Sequence, residues 1–340
     1  MRRWISRLAG ATLIVASFTA GWVLLELQSF LRSPLAVGGQ AVVYEVRAGS
    51  GLIAVAHDLQ RLGLLEHPRL LVWYARWHGE ADRIRAGEYL IEPQLTPRGL
   101  LDKLLGGDVL HHNITIPEGW TFRQMLAAVR AHDKIRQTLT GDDEREIMAR
   151  LGYPGQHPEG RFFPDTYQFP AGTTDVALLQ HAYQEMQRRL EQAWQGRDPS
   201  LPLATPYEAL ILASIVEKET GSPDERARIA GVFVRRLQRN MRLQTDPTVI
   251  YGLGAGFDGN LRRRDLEADT PYNTYTRAGL PPTPIALPGA AALHAALHPA
   301  PGDELYFVAR GDGTHQFSAS FDEHAAAVKD YQLNNGSRRK

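Results

Sequence analysis

The sequence predicts an α+β protein carried on an N-terminal transmembrane helix, and three observations predict it. Short alternating segments, each followed by a turn and then by helically spaced apolar residues, recur between residue 41 and about residue 132. Longer helical patterns with capping residues at their starts follow from Thr174 onward. Near the N-terminus an uncharged run at residues 8–25 has roughly the 18 residues that a helix needs, at minimum, to cross a bilayer.

In chain order, the anchor comes first. Arg2, Arg3 and Arg7 precede the apolar run, so the positive-inside rule puts residues 1–7 in the cytoplasm and the rest of the chain outside, in the periplasm or its equivalent. A cleaved signal peptide is the competing reading, with Ala20 near a small-residue cut. The apolar run continues through Trp22, Val23, Leu24 and Leu25, which favours an uncleaved span over residues 8–28. Residues 29–40 read as a linker. The 340-residue chain balances 38 Lys and Arg against 38 Asp and Glu, so it carries no electrostatic footprint for nucleic acid. It has no cysteine, which excludes disulfides, thiolate metal sites and cysteine nucleophiles. The histidines are scattered and His111–His112 is not helix-spaced, so no metal site is expected.

Within residues 41–132 the repeated plan is a strand at 42–46, a turn at 48–51 and a helix at 52–59. A second copy is a strand at 112–116, a turn at 117–119 and a helix at 122–129. A partial copy runs through 89–91, 93–96 and 100–105. Two such units resemble LysM modules, which bind N-acetylglucosamine chains; a compact spacer is the alternative. Residues 133–340 form the second expected domain. It has a short helix near 143–151, the aromatic stretch E-G-R-F-F-P-D-T-Y-Q-F at 159–169, and an amphipathic helix at 174–194. A C-terminal hairpin (305–309, 315–318), a helix at 322–332 and a frayed tail at 334–340 close the chain.

The stretch T-P-Y-E-A-L-I-L-A-S-I-V-E-K-E-T-G at 205–221 organises this domain. Thr205 and Glu208 form a capping-box signature, Pro206 suits the first helical position, and Gly221 ends the helix. At about 100° per residue Glu219 lies in line with Leu212, Ile215 and Val216, while Glu217 points toward Leu210, Ala213 and Ser214. A carboxyl on a buried stripe is desolvated and holds its proton nearer neutrality, as a general acid must. The plainer reading makes both glutamates a solvated helix end with Lys218 as charge partner. Ser222 and Glu225 give a second capping-box signature, opening a helix with Ile229, Val232, Phe233 and Leu237 and leaving Glu219 at a corner. Three segments then read as loops by their prolines: L-Q-T-D-P-T-V-I-Y-G (243–252), T-P-Y-N-T-Y (270–275) and G-L-P-P-T-P-I-A-L-P-G (279–289). Their hydroxyls, amides and tyrosine rings suit a sugar-binding groove.

The segments A-S-I-V-E-K-E-T, L-Q-T-D-P-T-V-I-Y-G, P-Y-N-T-Y and G-L-P-P-T-P-I, with E-G-R-F-F-P-D-T-Y upstream, resemble those of the endolytic murein transglycosylases of the YceG-like type. The anchor and LysM-like region extend the likeness over nearly the whole chain. Leu287 departs from the pattern, standing where many relatives carry a polar residue. The resemblance implies a lyase, without cofactor or metal, that cuts the MurNAc–GlcNAc bond inside peptidoglycan glycan strands and leaves a 1,6-anhydro end. It implies Glu219, the second glutamate of E-K-E, as the catalytic acid. Gln244, Thr245, Asp246, Tyr251, Tyr272, Asn273, Thr274 and Tyr275 are candidates for holding sugars. Glu159 and Asp165 lean toward structural roles.

One carboxyl suffices for that chemistry because the nucleophile, a C6 hydroxyl, belongs to the substrate. A two-carboxylate muramidase, with Asp246 or Glu217 as partner, and a non-catalytic wall-binding scaffold of the cell-wall synthesis or division machinery are the competing readings. A folate-pathway lyase would need pyridoxal phosphate, and no Gly-rich phosphate cradle lies near a lysine. Peptidoglycan synthases and division proteins are the partners that the resemblance implies.

Overall fold

The computed structural model describes residues 2–141, 143–219 and 221–334; the expected frayed tail lies mostly outside them. It folds as two compact units, Met1–His112 with Gln168–Gly172 and Asn113–Tyr167 with Thr173–Lys340.

The first unit begins with α1 (Arg2–Arg32), which includes the stretch apolar enough to span a membrane, Gly10–Arg32. The helix outlasts the expected span. Leu27 is 4 % exposed, and the Phe30 ring meets His67 edge-on. The expected free linker is also tied down: the Leu35 N–H donates to the Leu95 carbonyl and that of Ala36 to Leu64. Backbone donors cannot stay unpaired where an apolar side chain such as Leu35 is buried, so the segment is fixed.

β1 (Val42–Val46) pairs antiparallel with a later strand, and between them lie α2 (Leu52–Arg61) and α3 (Pro68–Trp77). That strand, β2 (Gly87–Ile91), sets Tyr44 opposite Tyr89, and α4 (Pro97–Gly106) follows. Thr96 caps α4 through the Gly99 N–H, and Gly107 ends it at φ 70°. The inward faces of these elements, with Leu59, Leu71, Tyr89 and Leu101, make one core. α3 escaped the repeat reading because its apolar face is interrupted by exposed Trp73 and Trp77, which stack on each other.

β3 (His111–Thr115) runs across the division between units, so the second copy of the repeat does not belong with the first. The expected boundary at 132/133 is therefore displaced, for a packing reason. The following helix, α5 (Phe122–Ala131), has a capping box at Thr121 and Gln124 and stacks its Phe122 ring on Phe162 of the second unit. α6 (Glu144–Arg150), β4 (Thr166–Pro170) and α7 (Asp175–Gln195) come next.

α8 (Pro206–Glu219) is the hub of the second unit. Every residue from Ala209 to Val216 is buried, in a core shared with Phe233, Leu243, Ile285, Leu293 and Leu297. A helix enclosed on all sides has no polar face. Against it pack α7, α9 (Arg226–Gln238), α10 (Asp246–Leu253) and α12 (Ala290–Leu297), with the short α11 (Arg263–Glu267) between the last two in the chain. The hairpin of β5 (Tyr306–Ala309) and β6 (His315–Ser318), then α13 (Phe321–Val328), complete the unit.

Candidate active site

α8 carries both glutamates of the E-K-E triplet, and its start forms largely as expected. Thr205 Oγ1 accepts from the Glu208 N–H (3.2 Å), while the Glu208 carboxylate reaches one residue further back, to the Ala204 N–H (2.6 Å). At the other end the solvated-helix-end reading fails, because both carboxyls are enclosed.

Glu217 is held in structure. Its side chain is 6 % exposed, Oε2 accepts from the Gly289 N–H at 2.9 Å, and Oε1 lies 3.8 Å from Arg226 Nη2. Burial pushes its pKa up, and nearby Glu118 adds to this. One turn earlier Ser214 Oγ accepts from the Ile285 N–H at 3.0 Å. Together Ser214 and Glu217 pin the Pro-rich loop 279–289 to α8. The same loop exchanges backbone bonds with the 117–120 turn, Gly119 N–H to Leu287 O and Leu287 N–H to Trp120 O. Leu287 is fully buried, which accounts for an apolar residue there.

Glu219, at the α8 terminus, turns its carboxyl inward, and Oε2 accepts a 2.8 Å bond from Thr245 Oγ1. Desolvation raises its pKa, the Thr245 bond offsets part of that, Asp246 adds to the rise, and His315 and Arg236 oppose it.

The segment expected to be a loop at 243–252 is mostly helical, as α10. Pro247 falls in its first turn, where a missing N–H costs nothing and the fixed φ is helical already. Gln244, just before it, sits at φ 51°, and its backbone N–H bonds the Thr274 carbonyl (3.1 Å). This bend aims Thr245 at Glu219.

The other candidates divide into three sets. Asp246 Oδ1 accepts from the Tyr275 hydroxyl at 2.6 Å, and the Gln244 amide oxygen lies 3.5 Å from Arg236 Nη1. These residues flank Glu219. Thr245, Thr274 and Asn273 are instead framework, being only 1–3 % exposed. Thr274 Oγ1 accepts from the Thr245 N–H, and Asn273 Nδ2 donates to the Asp265, Leu266 and Ala268 carbonyls. Asn273 and Thr274 thus shape the loop rather than face a sugar. Tyr251 and Tyr272 meet edge-on at 5.0 Å, and their hydroxyls bond Glu159 (3.0 Å) and Thr283 (2.9 Å).

Glu159 sits against this pair of tyrosines. It is 4 % exposed, accepts from the Phe122 N–H (2.9 Å) and the Tyr251 hydroxyl, and burial pushes its pKa up to about 7. Asp165 is a local brace, accepting from the Thr166 N–H. The Ser222–Glu225 capping box does not form, since Glu225 bonds His315 instead. His315 and Arg236, both acting on Glu219, were missed. Neither stands in the motif segments, and no spacing rule links Glu219 to a residue nearly a hundred positions away.

A helix-borne carboxyl, shielded at a corner and raised in pKa, with a threonine bond and polar side chains around it, makes a candidate acid–base site in an α+β scaffold. Sequence comparison shows the family. The sequence model described as the YceG-like family matches residues 44–330, and the chain belongs to that family. A Bacillus subtilis (strain 168) protein named endolytic murein transglycosylase is 31 % identical over 303 residues, covering 84 % of this chain and 83 % of the relative. A Streptococcus pneumoniae (serotype 2, strain D39) protein of the same name is 28 % identical over 324 residues, covering 85 % of this chain and 58 % of that longer protein. The crystal structure of a yceG-like protein from Listeria monocytogenes superposes with a TM-score of 0.54 at 26 % identity, covering 85 % of this chain and 100 % of the other.

Proposed function

We propose that the chain is a membrane-anchored endolytic transglycosylase that cuts the β-1,4 bond between MurNAc and GlcNAc within peptidoglycan strands. The observation that carries this reading is the inward-turned carboxyl of Glu219, raised in pKa by burial and held by Thr245. Family membership and the names of the relatives support it.

Glu219 gives its proton to the glycosidic oxygen as the C1–O bond breaks. The substrate's own C6 hydroxyl attacks C1, closing the 1,6-anhydro ring, and returns a proton to Glu219. No water is consumed, and intramolecular attack carries an effective molarity on the order of 10⁵ M or more. Gln244, Asp246 and Tyr275 hold the sugars beside the acid, with Thr245, Thr274 and Asn273 setting their backbone and Tyr251 and Tyr272 extending the wall. The anchor is α1, with its arginines on the cytoplasmic side and both units in the periplasm or its equivalent. The LysM-like first unit engages the same glycan, and the cut terminates or sizes nascent strands beside synthases and division proteins.

The test is mass spectrometry of digested peptidoglycan. Wild type yields anhydro ends and Glu219→Gln yields none. Asp246, close enough to act on Glu219, keeps a muramidase as the second reading, which reducing ends would establish in place of anhydro ends.

A further inference from the structure

Gln244 carries the bend that brings Thr245 to Glu219, and its φ of 51° lies in the left-handed region. A glutamine lacks the short polar side chain that eases this conformation for asparagine or aspartate, so the surrounding structure has to impose it. On one side Thr274 does so: its carbonyl and its hydroxyl accept from the Gln244 and Thr245 N–H groups, each at 3.1 Å. On the other side stands Arg236 of α9, 7 % exposed, which the reaction above does not use. Its Nη1 donates to the Leu243 carbonyl at 2.7 Å and to that of Arg242 at 3.3 Å, and its Nε donates to the Leu305 carbonyl at 2.7 Å. The Arg236 carbonyl in turn accepts from the Met241 N–H at 2.8 Å. One buried residue of α9 thus grips the three residues that lead into the bend. A guanidinium is costly to bury, and this one is committed to backbone oxygens.

We propose that Arg236 is a positioning residue for Glu219, its planar fork holding Gln244 in the left-handed form from which the Thr245 hydroxyl reaches the acid. The inference rests on the acid role proposed above. Nε on Leu305 and Nη1 on Leu243 join two separate segments through one rigid plane of donors, which only an arginine supplies. Released from that grip, Gln244 returns to an ordinary negative φ and Thr245 turns away. Glu219 then loses the 2.8 Å bond that orients its carboxyl. A glycine at position 244 takes positive φ without steric cost and needs no clamp.

The experiment measures kcat for release of anhydro-ended fragments from purified glycan strands by the full chain. It compares wild type, Arg236→Lys, Gln244→Gly and the double variant, with Glu219→Gln as control. Lysine keeps the charge but, as a point donor, cannot bridge both segments. Arg236→Lys should lower kcat by about 10-fold to 100-fold when Gln244 is present. Beside Gln244→Gly the same change should cost about threefold or less, and any part that Gln244 plays in holding sugar cancels in the comparison. Equal losses in both backgrounds would make Arg236 a support of the β5 segment alone and overturn the inference, as would wild-type kcat in Arg236→Lys. Should Arg236→Lys fail to fold, Gln244→Val tests the bend with the clamp in place, because a β-branched residue resists positive φ. Its kcat should lie about tenfold below that of Gln244→Gly, and equal rates would overturn the inference. Full activity in Glu219→Gln would overturn the acid role itself, whereas an inactive Glu219→Gln with equal losses in both backgrounds sinks only Arg236.

Discussion

At the scale of single residues, three glutamates, one buried and two half-buried, are separated by what they touch. Glu217 bonds a backbone amide of the Pro-rich loop, Glu159 bonds a tyrosine and the first amide of α5, and Glu219 bonds a threonine hydroxyl. A positioned acid contributes about 10²–10⁴-fold, so Glu219→Gln should lower the rate at least that much while circular dichroism stays unchanged. Glu159 gives a stability signature. Folded, it keeps its proton to about pH 7, whereas the ordinary value is 4.5. The folded state therefore binds the extra proton between these values. Its contribution is complete below about pH 4.5, declines as pH rises and is gone above about pH 7, an amount on the order of 3 kcal/mol. Urea unfolding at several pH values should show this decline in wild type and lose it in Glu159→Gln. At this scale the sequence singled out Glu219 by a helical wheel that put it on one apolar stripe, but α8 is buried on every side from Ala209 to Val216, so no single stripe sets that residue apart. Glu225 was misread because a capping-box spacing says nothing of a histidine waiting elsewhere in the fold.

At the scale of elements, legibility follows periodicity. β1, α2, α4, α5 and α7 were readable because each has one buried face, and a caps-and-stripe pattern records that directly. α12, A-A-A-L-H-A-A-L, was not read, since small apolar residues on every side leave no stripe. α10 was lost to Pro247, taken as a breaker where it is a starter. The loops are held by close approach, and two glycines test it. Gly160 has φ +77°, and a Cβ there would lie 2.4 Å from Pro284 Cβ, whereas Gly152 has φ +93° and open space around it. Gly160→Ala should cost several kcal/mol, the backbone strain plus the clash, and Gly152→Ala only about 1–2 kcal/mol. Chemical denaturation of both variants checks the difference. Ser214→Ala leaves the Ile285 N–H unpaired and should cost about 1–3 kcal/mol, with KM rising as the loop loosens.

At the scale of the molecule, the helix that can span a membrane belongs to the first unit's packing as much as to its address. A chain cut after Leu25 keeps Leu27 and Phe30, but one cut after Arg32 loses both. The shorter fragment should unfold more easily, by about 2–5 kcal/mol for the buried leucine, in thermal melts of the two soluble fragments. Domain division was the least legible feature. A repeated strand–turn–helix plan says that three copies are alike, and it does not say that the last joins a different core through Phe122 and Phe162.

Leu27, buried within the protein, comes two residues after the exposed Leu25, and the helix does not break between them. A continuous helix advances about 1.5 Å and turns about 100° with each residue. If α1 is the anchor proposed above, it would set not only how high the first unit stands above the lipid headgroups but also its compass bearing about the bilayer normal. Adding one alanine after Leu25 would swing the unit by more than a quarter turn, whereas adding seven would lift it by about 10 Å and restore its heading.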